Sequence, residues 1–310
     1  MLSCVSFVVS LFIGSSTIPP SQVFDVLMYQ GTEVNQTLVM ELRFPRSMMA
    51  FTTGALLAMA GVLMQVLLRN PLADPYVLGI SGGASIAALF AMLIGLPSVL
   101  ITGSAFVGAL GAIFAVFVLA RGRGDWTVNR LLLTGVVLAS GWFALISFLL
   151  VISPPDKVHG MLFWLMGDLS YDRPVLPGLI IMVLGIFVLM PLAPQLNIMI
   201  WGDRQATSLG VDIRVLRLAI FFIASLLTAG AVSLAGGIGF VGLVVPHFVR
   251  LLVGNDHRVL IPASALAGAS LLIIADVVAR VVMAPTQIPV GVLTAMLGVP
   301  LFLYLLRRSA

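Results

Sequence analysis

An all-α polytopic membrane protein with ten transmembrane helices is the fold class that three observations on this chain predict. Hydrophobic residues make up 60% of its 310 residues and charged residues only 9%, and its mean hydropathy is +1.16. Soluble domains carry roughly 25% charged residues, so this composition excludes a water-facing fold. Apolar runs of about 20 residues recur along the chain, each long enough to cross a hydrocarbon core as a helix. A membrane barrel would alternate apolar and polar side chains along each strand, and these runs do not.

The expected spans are Leu2–Ile18, Ser47–Leu68, Tyr76–Leu96, Val99–Ala120, Val128–Ile152, Val175–Pro191, Leu216–Leu234, Gly239–Val253, Val259–Met283 and Val290–Leu306. The first has no Lys or Arg before it and no Ala-x-Ala-like end, which predicts a retained span rather than a signal peptide. The third is rich in Gly and Ser, and the eighth is short with Pro246 inside it.

Basic residues alternate between successive loops. One set holds Arg69, Arg121, Arg123, Arg130, Arg204, Arg214, Arg217, Arg250, Arg258, Arg307 and Arg308; the opposite set holds Arg43, Arg46, Lys157 and Arg173. The richer set marks the cytoplasmic side, which places both termini there and argues for an even number of spans. The net charge of +4 is therefore spread over topology signals, with no cluster that would grip nucleic acid. Two long loops lie on the other side, 19–46 and 153–174. The apolar turn Met161–Met166 in the second reads as an interfacial helix in the headgroups, with a substrate contact as the alternative.

Gly54–Gly61 in the second span resembles Gly230–Gly237 at the seventh, and the two spans enter from opposite sides. Halves of inverted topology, as in many transporters, would produce this; so would the small-residue composition of membrane helices.

No enzyme site is visible. His159, His247 and His257 share no metal-ligand spacing, and Cys4 is the only cysteine, which leaves no disulfide and no thiolate metal cage. Lys157 is the only lysine and stands outside any Gly-x-x-x-x-Gly-Lys-Ser/Thr pattern, so this chain has no such loop for ATP. Asp276 and Arg280, four apart on one helical face, read as an internally satisfied pair. Gly79, Gly82, Gly83, Gly236, Gly237, Gly239 and Gly242, with Pro71, Pro75 and Pro246, mark close helix approaches and bends, hence a pathway whose inner end opens and shuts.

One polar island stands out, Trp201–Arg217. Asp203 is placed to cap a short helix whose apolar pair, Ala206 and Leu209, lies at i, i+3. Gly210 suits a left-handed stop, and Asp212 is placed to cap the following helix. Two short helices meeting at a glycine make a knob, which either ties two spans together or is gripped by another protein.

Arg43-Phe-Pro-Arg46, Gly61-Val-Leu-Met-Gln65, Arg69-Asn-Pro-Leu-Ala-Asp-Pro75, Leu78-Gly-Ile-Ser-Gly-Gly83 and Gly239-Phe-Val-Gly-Leu-Val-Val-Pro-His247 resemble the FecCD family of permeases. Ala275-Asp-Val-Val-Ala-Arg280 and Ile288–Pro300 extend the resemblance, which runs from about Ser15 to Arg308. It implies the type II ABC importer permease fold in one transmembrane domain over residues 1–310, with ten spans and a second permease copy around one central path. It further implies a cytoplasmic ATPase dimer that binds the ATP and Mg, an extracytoplasmic substrate-binding protein, and a bacterial or archaeal cytoplasmic membrane. The chain itself then holds no cofactor and is no enzyme.

Carried over residue by residue, the ATPase-coupling segment is Asp203, Arg204, Gln205, Ala206, Leu209, Gly210, Asp212 and Arg214. Arg43, Arg46 and Arg280 match the outward arginines that receive acidic residues of the binding protein, and Leu78, Gly79, Ile80, Ser81, Gly82 and Gly83 match the region of the cytoplasmic gate. The family's first span is longer and follows basic residues, whereas about a dozen residues precede Gly14 here, which predicts a trimmed or misassigned start. The implied function is import of an iron chelate, siderophore or haem, by ATP-driven alternating access, with cobalamin as the alternative cargo. An ion-gradient-driven secondary transporter dependent on Asp276, and a non-transporting scaffold, are the rivals from other classes.

Overall fold

The computed structural model describes residues 2–28, 30–121, 127–169 and 173–309; Arg123, counted above for its charge, lies outside them. Among the described residues every regular element is a helix. α1 (Leu2–Phe12) and α2 (Pro20–Leu27) precede α3 (Glu33–Gln36), which runs through a π-helical turn, Thr37–Arg43, directly into α4 (Phe44–Leu67). The second span was expected to start at Ser47, after a loop holding Arg43 and Arg46; both arginines instead stand on this continuous helix. Pro45 explains the π turn. It offers no N–H to the preceding turn, and the chain widens there, so that Phe44 N donates to Val39 O five residues back.

A 3₁₀ turn, Pro75–Leu78, leads into α5 (Ile80–Leu93), followed by α6 (Ser98–Arg121), α7 (Val128–Ile152) and α8 (Pro155–Leu165). Then come α9 (Leu176–Met199), α10 (Asp203–Ser208), α11 (Ile213–Ala235), α12 (Val241–Val253), α13 (His257–Val281) and α14 (Val290–Ser309). Among the described residues six helices are long and apolar enough to cross a membrane, and four shorter apolar ones are Leu2–Phe12, Ile80–Leu93, Val241–Val253 and Val290–Leu303. Each of these lies on one of the ten expected runs.

α4 is the hub. The apolar window of its helix is 94% buried, against 6% for that of α7, and α9, α11, α12 and α13 pack around it. Small residues permit this, because Gly54, Ala55, Ala58, Ala60 and Gly61 let neighbouring backbones come close. α5, α6 and α7 form a second group that reaches the hub through α11.

Three expectations change in the structure. The sixth span was expected to end at Pro191, but α9 continues to Met199 with Pro191 and Pro194 inside it. Leu189, Ala193, Leu196 and Met199 are all fully buried, so one apolar stripe runs past both prolines and its burial holds the helix together. The Met161–Met166 turn falls on the end of α8, with Met161 and Trp164 buried in protein and Leu162 and Met166 exposed, so only one of its faces is free to meet headgroups. The two similar glycine stretches occupy different settings: Gly54–Gly61 lies wholly inside α4, whereas Gly236 ends α11 at φ 69°.

At the other end of the molecule from Arg46, Asp256 caps α13. Its carboxylate accepts from Asn197 Nδ2 at 2.7 Å and from the backbone N–H of Arg258 at 3.0 Å. The Asn197 bond first, and then the Arg258 bond, hold this carboxyl below the usual carboxylate range. A depressed folded-state pKa contributes stability above the unfolded value and loses it as pH falls through the folded one. Asp256→Ala should therefore lower the melting temperature at neutral pH, with the difference from the parent closing on acidification below the ordinary aspartate range. A gap of constant size across that pH range would refute the assignment.

Candidate functional site

The two ends of α4 carry the two polar assemblies of interest. At its start, Arg46 Nε donates to Asp276 Oδ1 at 2.8 Å. Arg280, one turn along α13, places its own Nε 3.0 Å from Asp276 Oδ2. Asp276 is only 1% exposed, so its charge is kept in the interior by two guanidiniums at once. Sequence spacing predicted the Asp276–Arg280 pair; Arg46, from a distant segment, makes it a triad. Arg46 Nη1 also donates to Gln287 Oε1 at 2.6 Å. The triad borders an open cavity of about 340 Å³ lined also by Gly14, Arg43, Phe163, Asp168 and Gln287.

Arg43 lines the same cavity but is otherwise employed. It was expected to face outward, yet it is 4% exposed. Its Nη1 donates to Leu11 O at 2.8 Å and Phe12 O at 3.1 Å, and its Nη2 to Ser16 O at 2.6 Å. These carbonyls belong to the end of α1 and the chain just after it, where a helix leaves acceptors unmet and a cation is favoured. The guanidinium fits because residue 14 is glycine: a Cβ there would lie 2.9 Å from Arg43 Nε. Arg280 was expected to face outward as well and is equally buried, 4% exposed. The family resemblance named three arginines that do meet at one cavity, but it did not name Asp168 and Gln287 beside them.

At the far end of α4, Arg69 and Arg217 both pair with Asp203, Arg217 Nη2 at 2.7 Å from Oδ2. Asp203 was expected to cap α10; instead Gly202 occupies the cap position and Asp203 is the first helical residue. Its carboxylate is drawn sideways to the two arginines, a stronger partner for it than a neutral N–H. Asp212 does cap α11, accepting from Arg214 N and Val215 N. Gly210 adopts φ 81°, the left-handed stop its position required. Ala206 and Leu209 part company: Ala206 is fully buried, while Leu209 is 66% exposed. Arg204, Gln205 and Arg214 lie on the exposed surface of the knob.

The Leu78–Gly83 stretch lies between them. Leu78 and Ile80 are 1% exposed, Gly79 breaks the 3₁₀ turn from α5 at φ 71°, and Ser81 and Gly82 are half-buried beside buried Gly83. An added Cβ at Gly82 would meet Trp142 of α7 at 2.6 Å, and one at Gly83 would meet Gly108 O of α6 at 2.6 Å. These glycines seat α5 on α6 and α7. Open clefts run past the residues just before them: Tyr76 and Val77 line one of about 480 Å³ with Ala139, Ser140 and Phe143, and another of about 350 Å³ with Asp74, Gly239, Phe240 and Leu243. Phe240 holds φ 69°, an uncommon conformation for a bulky side chain; nothing in its sequence neighbourhood except the flanking glycines signals this.

Among the described residues no group of three or more His, Cys, Asp or Glu is placed to hold a metal ion.

The FecCD transport family model matches residues 2–308. The cobalamin import system permease protein BtuC of Halobacterium salinarum is 44% identical over 91% of this chain and 76% of its own length. The Fe(3+) dicitrate transport system permease protein FecD of Escherichia coli is 38% identical over 90% of this chain and 88% of its own. A solved metal-chelate type ABC transporter in an inward-facing conformation superposes with a TM-score of 0.85 at 31% identity, covering 99% of this chain and 96% of that one. A multi-pass helical chain matched by one family model over nearly its whole length belongs to that family: this protein is a FecCD-family permease of the ABC importers.

Proposed function

We propose that this protein is the membrane-spanning subunit that moves a metal chelate inward by ATP-driven alternating access, as one of two permease copies around a central path. The single observation that carries the reading is α4. It joins an arginine-lined cavity, built on Arg46, to the Trp201–Arg217 knob, held through Arg69 and Asp203. Twenty-three residues separate Arg46 from Arg69, roughly 35 Å of helix, about the thickness of a bilayer core. The cavity then faces outward and docks acidic side chains of a substrate-binding protein, while the knob faces the cytoplasm and is gripped by a separate ATPase dimer, which binds the ATP and Mg. Both termini are cytoplasmic in this orientation, as the basic-residue distribution requires.

The cargo in the first reading is an iron chelate, siderophore or haem, supported by the likeness to FecD and to the metal-chelate type transporter. Cobalamin is the second reading, supported by the 44% identity to the Halobacterium permease. Selection falls to the binding protein, because the clefts beside Tyr76, Val77 and Phe240 offer few polar groups.

Proteoliposomes holding the permease, its ATPase and its binding protein test this with ferric chelate and cobalamin offered in parallel. Uptake of one cargo that requires ATP and ceases when the ATPase is left out is the expected result. Uptake that continues without the ATPase and collapses with an ion gradient would overturn the mechanism.

A further inference from the structure

We infer that Gln287 is a built-in stand-in for the partner's carboxylate on Arg46, and that Asp276 is the positioning residue beneath both docking arginines. The inference rests on the docking reading above and adds to it a competitor and a support.

The support comes first. Arg46 donates Nε to Asp276 Oδ1 at 2.8 Å, and Arg280 Nε lies 3.0 Å from Oδ2 while donating to the backbone Asp276 O at 3.4 Å. An arginine held by Nε has its plane fixed while the distal Nη edge stays available, and that edge is the fork that receives a carboxylate in two parallel bonds. Two long side chains ordered in advance also forgo much of the rotamer entropy that docking would otherwise cost. Without Asp276 the two cations would face one another across a cavity also lined by Arg43.

The competitor lies on the rim. Gln287 is exposed, in the segment between α13 and α14, yet its Oε1 accepts from Arg46 Nη1 at 2.6 Å. The backbone next to it is pinned, Ile288 N donating to Ala279 O at 3.2 Å, beside Arg280. Its amide oxygen therefore sits on the Nη edge of Arg46, where an incoming carboxylate would bind. On Arg280, Nη2 is buried and has no hydrogen-bond partner among the described residues. A buried cationic donor left unmet favours an added acceptor. Arg46 thus has one docking donor occupied by a neutral surrogate, while the unfilled donor of Arg280 lies beneath the surface and needs its side chain to shift before a partner reaches it. A glutamate or aspartate side chain of the binding protein supplies the charge that Gln287 lacks, so it displaces the amide rather than merely replacing it.

Substitutions at one exposed position then have opposite signs. Gln287→Ala removes the surrogate and should tighten docking by roughly threefold to tenfold, the scale of one ordinary hydrogen bond, since this one lies at the exposed rim. Gln287→Glu places a carboxylate of this chain on Arg46 and should weaken docking at least about tenfold, with the loss shrinking at high salt. Asp276→Asn should weaken docking, and its melting temperature shows whether the fold survives the buried change.

The measurement is the affinity of the system's substrate-binding protein for the permease–ATPase complex in lipid nanodiscs at two salt concentrations. Arg46→Glu and Arg280→Glu serve as tests of the docking reading itself. If these reversals abolish docking while both Gln287 variants bind like the parent, the surrogate role is overturned and the docking reading stands. If the reversals leave docking unchanged, the arginine cavity is not the docking site and both ideas fall. Opposite shifts from the two Gln287 variants support the inference, because loss of a merely structural contact would shift both in the same direction.

Discussion

Gly61→Val is expected to yield almost no monodisperse permease after extraction in detergent. A Cβ built on Gly61 would lie 1.8 Å from the carbonyl oxygen of Gly242 and 2.6 Å from its carbonyl carbon. Those atoms are the backbone of α12, so no side chain can rotate out of the way. Seven residues earlier on α4 a second crossing is nearly as close and is reciprocal: a Cβ on Gly54 would meet Gly268 O of α13 at 2.3 Å, and one on Gly268 would meet Gly54 O at 2.4 Å. Lipid tails are as apolar as leucine, so close packing is the main force that holds such helices together. Ordinary overpacking costs about 1–3 kcal/mol. Here α4 must be pushed off α12 along the crossing, and the loss should exceed about 3 kcal/mol, a large fraction of the roughly 5–15 kcal/mol available to a domain. Gly61→Ala should act in the same direction with a smaller fall in melting temperature. Alanine at Gly103 or Gly111, where nothing lies within 4 Å of the added atom, should leave it unchanged. A Gly61→Val protein that melts with the parent would refute the crossing.

How much of this was legible in the sequence depends on how local the cause is. Apolar runs located ten helices because burial in lipid is a property of each segment alone. Asp212 and Gly210 were legible for the same reason, since a cap and a left-handed stop are decided by neighbouring residues. The expected sixth span stops at Pro191, but the buried stripe through Met199 carries the helix on; the expected second span starts at Ser47, but a π turn carries the helix through Pro45. Asp203 was assigned the nearest role, a cap, and taken from it by Arg69, 134 residues away in the chain. Arg46 and Gln287 are separated by 241 residues, and no periodicity could have joined them. The family resemblance placed Arg43 facing outward, whereas the carbonyls at the end of α1 claim its guanidinium.

Leu209→Asp is expected to leave ATP hydrolysis running while transport falls at least about tenfold, so that many more ATP molecules are spent per molecule moved. The knob is tied inward by several contacts: fully buried Ala206, the Val211 N to Ala206 O bond at 3.0 Å, the cap at Asp212, and the bridge from Asp203 to Arg69 and Arg217. It therefore moves with the end of α9, the start of α11 and, through the Arg69 bridge, the end of α4. Leu209 alone of its apolar pair projects outward, and burying such a side chain against a partner is worth about 2 kcal/mol, or roughly thirtyfold in affinity. An aspartate there would bring a charge to the same contact and lose it. Gly210 separates turn from contact. A side chain at this position meets nothing within 4 Å, so any effect of substitution comes from its φ of 81°. Asparagine tolerates that conformation and valine does not, so Gly210→Asn should stay coupled while Gly210→Val uncouples. Measured as ATP hydrolysed per molecule imported in proteoliposomes, a parental ratio in Leu209→Asp would mean that the ATPase grips the permease elsewhere. Equal ratios in the two Gly210 variants would mean that the turn does not hold the knob in the shape it needs.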